Sequence, residues 1–154
     1  MSTEAILIQL CHKEYSYINL RMDNPPKLLL CIEDDEDDIS LIEETALEVD
    51  SSLRFVAKHN GKEALMFLHR QKEQGYLPCL ILLDYNMPVM TGREVLEELK
   101  RDNVLKKIPV IIFTTSSGQR EQLVCDAYGV EMVTKPARVK EFKGILNQLL
   151  VQCI

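Results

Sequence analysis

From Lys27 onward the chain alternates two kinds of hydrophobic pattern. KLLLCI (27–32) is almost continuously apolar, and then Ile39, Ile42, Ala46 and Val49 recur at helical spacing through an acidic stretch. The pairing repeats: LRFVA (53–57) precedes Ala64, Leu65 and Leu68, LPCLILL (77–83) precedes Val95, Leu96 and Leu99, and PVIIF (109–113) precedes Leu123, Val124 and Ala127. Last, VEMVT (130–134) precedes Val139, Phe142, Leu146, Leu149 and Cys153. Strand and helix thus alternate five times. Runs such as LILL and VIIF suit a parallel strand buried on both faces, because a sheet with one wet face would alternate apolar and polar residues. Such strands, separated by helices of roughly ten to fifteen residues, predict an open α/β sheet covered on both sides. Right-handed crossovers gather the loops that follow the strands at one end of the sheet, where ligands of such folds bind.

Residues 1–26 lack this alternation and close on Pro25-Pro26, so they read as an appendage to a single domain spanning 27–154. Met22, just ahead of the first strand, is a candidate native start, and no output domain is expected after the last helix. A chain of 154 residues suffices for one core and is short for two.

Composition changes the picture chiefly by exclusion. With 46% hydrophobic and 27% charged residues the chain is of ordinary globular type. A net charge of −6 and no Lys/Arg-dense face argue against direct nucleic-acid binding. Cys11, Cys31, Cys79, Cys125 and Cys153 are scattered without a Cys-x-x-Cys pair, so reduced thiols are expected, with Cys31 and Cys79 as small core residues. His12, His59 and His69 show no ligand spacing. No apolar run has the length of a membrane span and no signal peptide is evident, so a cytoplasmic location away from membranes is expected.

The residues that end each apolar run carry the chemistry. Glu33, Asp34 and Asp35 follow the first run, Asp84 the third, Thr114 and Thr115 the fourth, and Lys135-Pro136 the fifth. Glu33, Asp34 and Asp84 in close quarters repel unless a cation sits among them, and oxygen-only ligands suit a hard ion such as Mg²⁺. A hydroxyl and an ammonium opposite that ion are suitable donors to phosphoryl oxygens. Asp35 or Asp37 reads as the N-cap or first-turn acid of the first helix.

IEDDEDD, LLDYNMPVMTG, IPVIIFTTS and VTKP, in this order and strand context, make residues 27–152 resemble the receiver domain of two-component response regulators. The resemblance implies a flavodoxin-like (βα)5 fold of three layers, with a five-stranded parallel sheet in the order 2-1-3-4-5. It implies that Asp84 is the phosphoacceptor, that Asp34 ligates Mg²⁺ (or Mn²⁺) directly and Glu33 through water, and that Asn86 offers its backbone carbonyl. Thr114 would bind a phosphoryl oxygen and act as a switch residue, and Lys135 would pair with the acceptor carboxylate and then the phosphate. Pro136 would follow a cis bond, while Pro88 and Gly92 would shape the turn after the acceptor. The partners implied are a sensor histidine kinase or phosphotransfer protein and a downstream protein target. An exposed remainder of the last helix is a candidate homodimer surface.

Two positions depart from the pattern. Met132 stands where the family usually has an aromatic switch, which leaves readout to Met132 itself, to Tyr128 or to helix displacement. Thr115 takes the place of a small residue and would crowd the site. RQKEQGYLP (70–78), together with TTSS (114–117), resembles stand-alone, chemotaxis-regulator-like proteins that pair with phytochrome-type kinases. The expected function is therefore that of a single-domain phosphorelay regulator, a phosphoacceptor rather than a turnover enzyme. The alternative is a haloacid-dehalogenase-like, Mg²⁺-dependent phosphohydrolase with Asp84 as nucleophile, although Asn86 stands where that class carries its general acid. A flavin-binding module on the same topology ranks last, because no strand-end loop is a phosphate cradle rich in Gly, Ser and Thr.

Overall fold

A computed structural model describes residues 25–153. The appendage, apart from Pro25 and Pro26, lies outside the described residues, as do Met22, Cys11 and His12. Five strands form one parallel sheet: β1 (Leu28–Ile32), β2 (Arg54–Lys58), β3 (Leu80–Leu83), β4 (Val110–Thr114) and β5 (Glu131–Thr134), in the order β2-β1-β3-β4-β5. Between and after them run α1 (Glu36–Val49), α2 (Gly61–Gln74), α3 (Gly92–Arg101), α4 (Gln119–Tyr128) and α5 (Val139–Leu150). This is the flavodoxin-like arrangement in three layers.

The apolar pattern explains the layering. β1 and β3 are buried at every position, and successive side chains alternate between the two faces. Leu29, Cys31, Leu80, Leu82, Ile111 and Phe113 face a core completed by α1 and α5, while Leu30, Ile32, Ile81, Leu83 and Ile112 face α2, α3 and α4. The edge strands β2 and β5 are only half-buried or exposed, since each lacks a neighbour on one side.

Local signals set the helix limits. Asp35 caps α1 by accepting from the amides of Asp37 and Asp38, Asn60 caps α2 through the amide of Glu63, and Thr91 with Glu94 forms a reciprocal capping box on α3. α2 ends at Gly75, whose φ of 70° is the left-handed conformation that glycine adopts at least cost.

Three sequence expectations need correction. α4 buries Cys125 rather than the Leu123 side, and Leu123 is 67% exposed, because this short helix meets the sheet along a narrow stripe. At the start of α5, Val139 is exposed while Phe142, Leu146, Leu149 and Cys153 are buried. The expectation that all cysteines are reduced also fails: Cys79 and Cys153 form a disulfide, while Cys31 and Cys125 are free and buried. The turn after α5 folds the chain back onto the start of β3, which brings the two Cα atoms to 5.3 Å across 74 residues of sequence. Among the described residues, no helix is long and apolar enough to cross a membrane.

Candidate functional site

Strand register assembles the site. Ile32 pairs with Leu83 at the carboxyl ends of β1 and β3, so the next residues, Glu33 and Asp84, emerge side by side. The amide of Asp84 continues that ladder by donating to the Ile32 carbonyl at 2.9 Å. On the other side of β3, Thr114 pairs with Thr134, and the amide of Lys135 donates to the Thr114 carbonyl at 2.7 Å. Glu33, Asp84, Thr114 and Lys135 are all buried polar residues at one rim, and Asp34 is exposed beside them.

One carboxylate oxygen each from Glu33, Asp34 and Asp84 lies within 4.8 Å of the others. Three converging oxygen donors fit a hard divalent cation, which takes carboxylates together with water. Burial pushes the Glu33 carboxyl up to about 7 despite its hydrogen bond to Lys135, and the nearby Asp84 charge adds to the rise. Burial likewise raises Asp84, against the opposing influence of the Lys135 charge, the Thr114 hydroxyl and the amides of Tyr85 and Asn86. The site thus holds more negative charge than its own groups neutralise.

Lys135 reaches the rim through a buried stem. Its ammonium donates to Glu33 Oε2 and, at 2.8 Å, to Asp38 Oδ2, and it stands 5.8 Å from the centre of the Phe113 ring. Burial alone would lower its pKa, but the bonds to Asp38 and Glu33 hold it up to about 12. The expected direct pairing of Lys135 with Asp84 is therefore corrected: no hydrogen bond or ion pair joins them among the described residues, because the two nearer carboxylates take the ammonium. Asp38 is the site residue that sequence reading passed over. It lay within an acidic run read only as a helix start, where nothing marks which of three acids turns toward the sheet.

The loop after Asp84 is tightly built. The Gly92 amide donates to the Tyr85 carbonyl at 2.9 Å, and a Cβ on Gly92 would stand 2.5 Å from the Asp84 carbonyl oxygen. Pro88 accepts from the Met90 amide at 2.8 Å, which closes a tight turn with Val89 at a φ of 71°. Asn86 is exposed, with its amide serving the Asp84 carboxylate. The bond before Pro136 is trans, contrary to expectation, since no cis peptide occurs among the described residues. Met132 is half-buried against the core beside α4 that also receives Tyr85 and Tyr128, and Thr115 is exposed. His59 pairs with Glu36 at 3.0 Å.

Comparison with known proteins agrees with the family and fold read from the sequence. The family model described as the response regulator receiver domain matches residues 29–147. Response regulator Rcp1 of Synechocystis sp. is 40% identical over 98 residues, covering 62% of this chain and 67% of that protein. The crystal structure of the phosphorylated cyanobacterial phytochrome response regulator RcpA superposes with a TM-score of 0.77 at 32% identity, covering 83% of this chain and 94% of the other. The Mn²⁺-bound form of Rcp1 gives a TM-score of 0.73 at 32% identity, over 81% and 92% of the two chains. The phosphohydrolase alternative finds no support in these matches.

Proposed function

The chain belongs to the response regulator receiver domain family, and from that premise we propose that it accepts a phosphoryl group on Asp84 and signals through the resulting change of shape. The observation that carries the reading is the convergence of Glu33, Asp34 and Asp84 within 4.8 Å, with buried Thr114 and Lys135 on the same rim. Asp84 is the nucleophile because it is the acid at the centre of that rim, next to Glu33 on one side and the β4 strand end on the other.

In the donor, a phosphohistidine of a sensor kinase or phosphotransfer protein, the P–N bond breaks as an Asp84 carboxylate oxygen forms the P–O bond. The imidazole leaves with the electron pair and takes a proton from solvent. Glu33, Asp34, Asp84 and the Asn86 carbonyl would hold Mg²⁺, or Mn²⁺ as in the Rcp1 structure, to screen the charges that meet there. Thr114 and Lys135 donate to the phosphoryl oxygens left on Asp84, and Pro88 and Gly92 hold the loop that presents it. The transferred group draws Thr114 toward it, and Met132, in its half-buried place near Tyr128, passes the movement to the face of α4 and β5.

The description of RcpA as a phytochrome response regulator supports a phytochrome-type histidine kinase as donor, and we take a second protein to be the target of the phosphorylated form. The protein acts in the cytoplasm as a phosphoacceptor rather than a turnover enzyme, and homodimers would use the exposed remainder of α5. Intact mass after incubation with acetyl phosphate and Mg²⁺ tests the central step. One added phosphoryl group, absent in Asp84→Asn and under chelation, is expected. No gain from acetyl phosphate or from a phosphorylated kinase would sink the reading.

A further inference from the structure

Two carboxylates hold Lys135, and only one of them belongs to the acid triad. Glu33 Oε1 already accepts from the amides of Asp34 and Asp35, each at 3.1 Å, so Oε2 is the oxygen for which Lys135 and a cation in the triad compete. A divalent ion drawn to Glu33 also repels the ammonium at short range. The ammonium then needs a second acceptor that the ion does not claim.

Asp38 supplies it from a rigid mount. Asp35 Oδ1 accepts from the amides of Asp37 and Asp38 at 2.9 and 3.0 Å, which locks the first turn of α1. From there Asp38 Oδ2 meets Lys135 across 97 residues of sequence. The Lys135 side chain is only 4% exposed, so an ammonium that lost both acceptors would be a buried unpaired charge. Its way out is the cleft of about 520 Å³ lined by Asp37, Asp38, Lys135 and Phe142. Asp37 borders the same cleft and carries the same charge, yet makes no bond to Lys135.

We propose that Asp38 is the positioning residue for Lys135, holding the ammonium at the rim while Glu33 turns to the divalent cation. The proposal rests on the reading of Asp84 as phosphoacceptor. Asp38 touches neither the phosphoryl group nor the ion and acts wholly through Lys135.

Trace acylation of amines with acetic anhydride, mapped by peptide mass spectrometry, reads the state of Lys135 directly. The full-length wild type is compared with Asp38→Ala, Asp38→Asn and Asp37→Ala, with and without Mg²⁺, and circular dichroism checks that each is folded. In wild type, Lys135 should label slowly whether or not Mg²⁺ is present. In Asp38→Ala its labelling should rise about tenfold, in keeping with the loss of one charge-assisted hydrogen bond, and rise again with Mg²⁺. Asp38→Asn, which restores an uncharged acceptor, should lie between, and Asp37→Ala should match wild type. Wild-type labelling rates in Asp38→Ala, or equal acceleration in Asp37→Ala, would overturn the proposal. Phosphorylation of the wild type by acetyl phosphate is scored separately, so failure of the acceptor reading and failure of the Asp38 proposal give different results.

Discussion

Gly92 begins α3 in direct contact with the backbone of Asp84: a Cβ there would lie 2.5 Å from the Asp84 carbonyl oxygen and 2.7 Å from the Cα of Tyr85. Both obstacles are main-chain atoms that cannot rotate away. Gly92→Ala should therefore destabilise the fold by about 1–3 kcal/mol, the usual range for overpacking a tight site. Urea denaturation measures this, and slower phosphorylation by acetyl phosphate should accompany it because the displaced segment carries Asp84.

The buried acids make the metal-free protein less stable as pH rises. Glu33 is raised to about 7 from an ordinary value near 4.5, so between those values the folded state binds more protons than the unfolded one. Stability from this group is present at the acid end of the window and declines toward neutrality. Thermal melts of the metal-free protein should show that decline, Mg²⁺ should reduce it, and Asp84→Asn should melt higher than wild type at pH 7. A metal-free Asp84→Asn protein that melts lower would contradict the account of crowded charge.

The Cys79–Cys153 bond closes a long loop, with 74 residues of separation. In the chain-entropy view such a cross-link contributes about 4 kcal/mol by restricting the unfolded chain. Cys79→Ser with Cys153→Ser should lower the urea midpoint accordingly, and a reducing agent should do the same to wild type. Thiol titration of the unreduced, unfolded protein should find the pair unreactive.

Val89 holds a φ of 71° while being 83% exposed, a costly conformation for a β-branched residue with no packing to offset it. Val89→Gly should stabilise the protein by about 1 kcal/mol, seen as a higher melting temperature. An unchanged or lower melting temperature would show that the turn draws support from elsewhere.

Much of this molecule is legible in its amino-acid sequence. Continuous apolar runs in β1, β3 and β4 announce strands buried on both faces, and Glu33, Asp84 and Thr114 are legible because each stands at or just past the end of such a run, while Lys135 follows the shorter, mixed run of the edge strand β5. Asp35 as the cap of α1 follows from its place before a helical period. α4 is less legible, since a helix with one buried residue has too little apolar contrast to declare its inner face.

What sequence alone determined was the set of periods and the residues that end them, because hydrophobic burial is written locally, one strand or helix at a time. Tertiary structure alone decided which distant groups meet. Lys135 bonds Asp38 and Glu33 rather than Asp84, Cys79 reaches Cys153, and Gly92 abuts Asp84 because sheet register and helix packing set those distances. Charge–charge and sulfur–sulfur contacts depend on a few ångströms between segments far apart in the chain, and no local pattern encodes them.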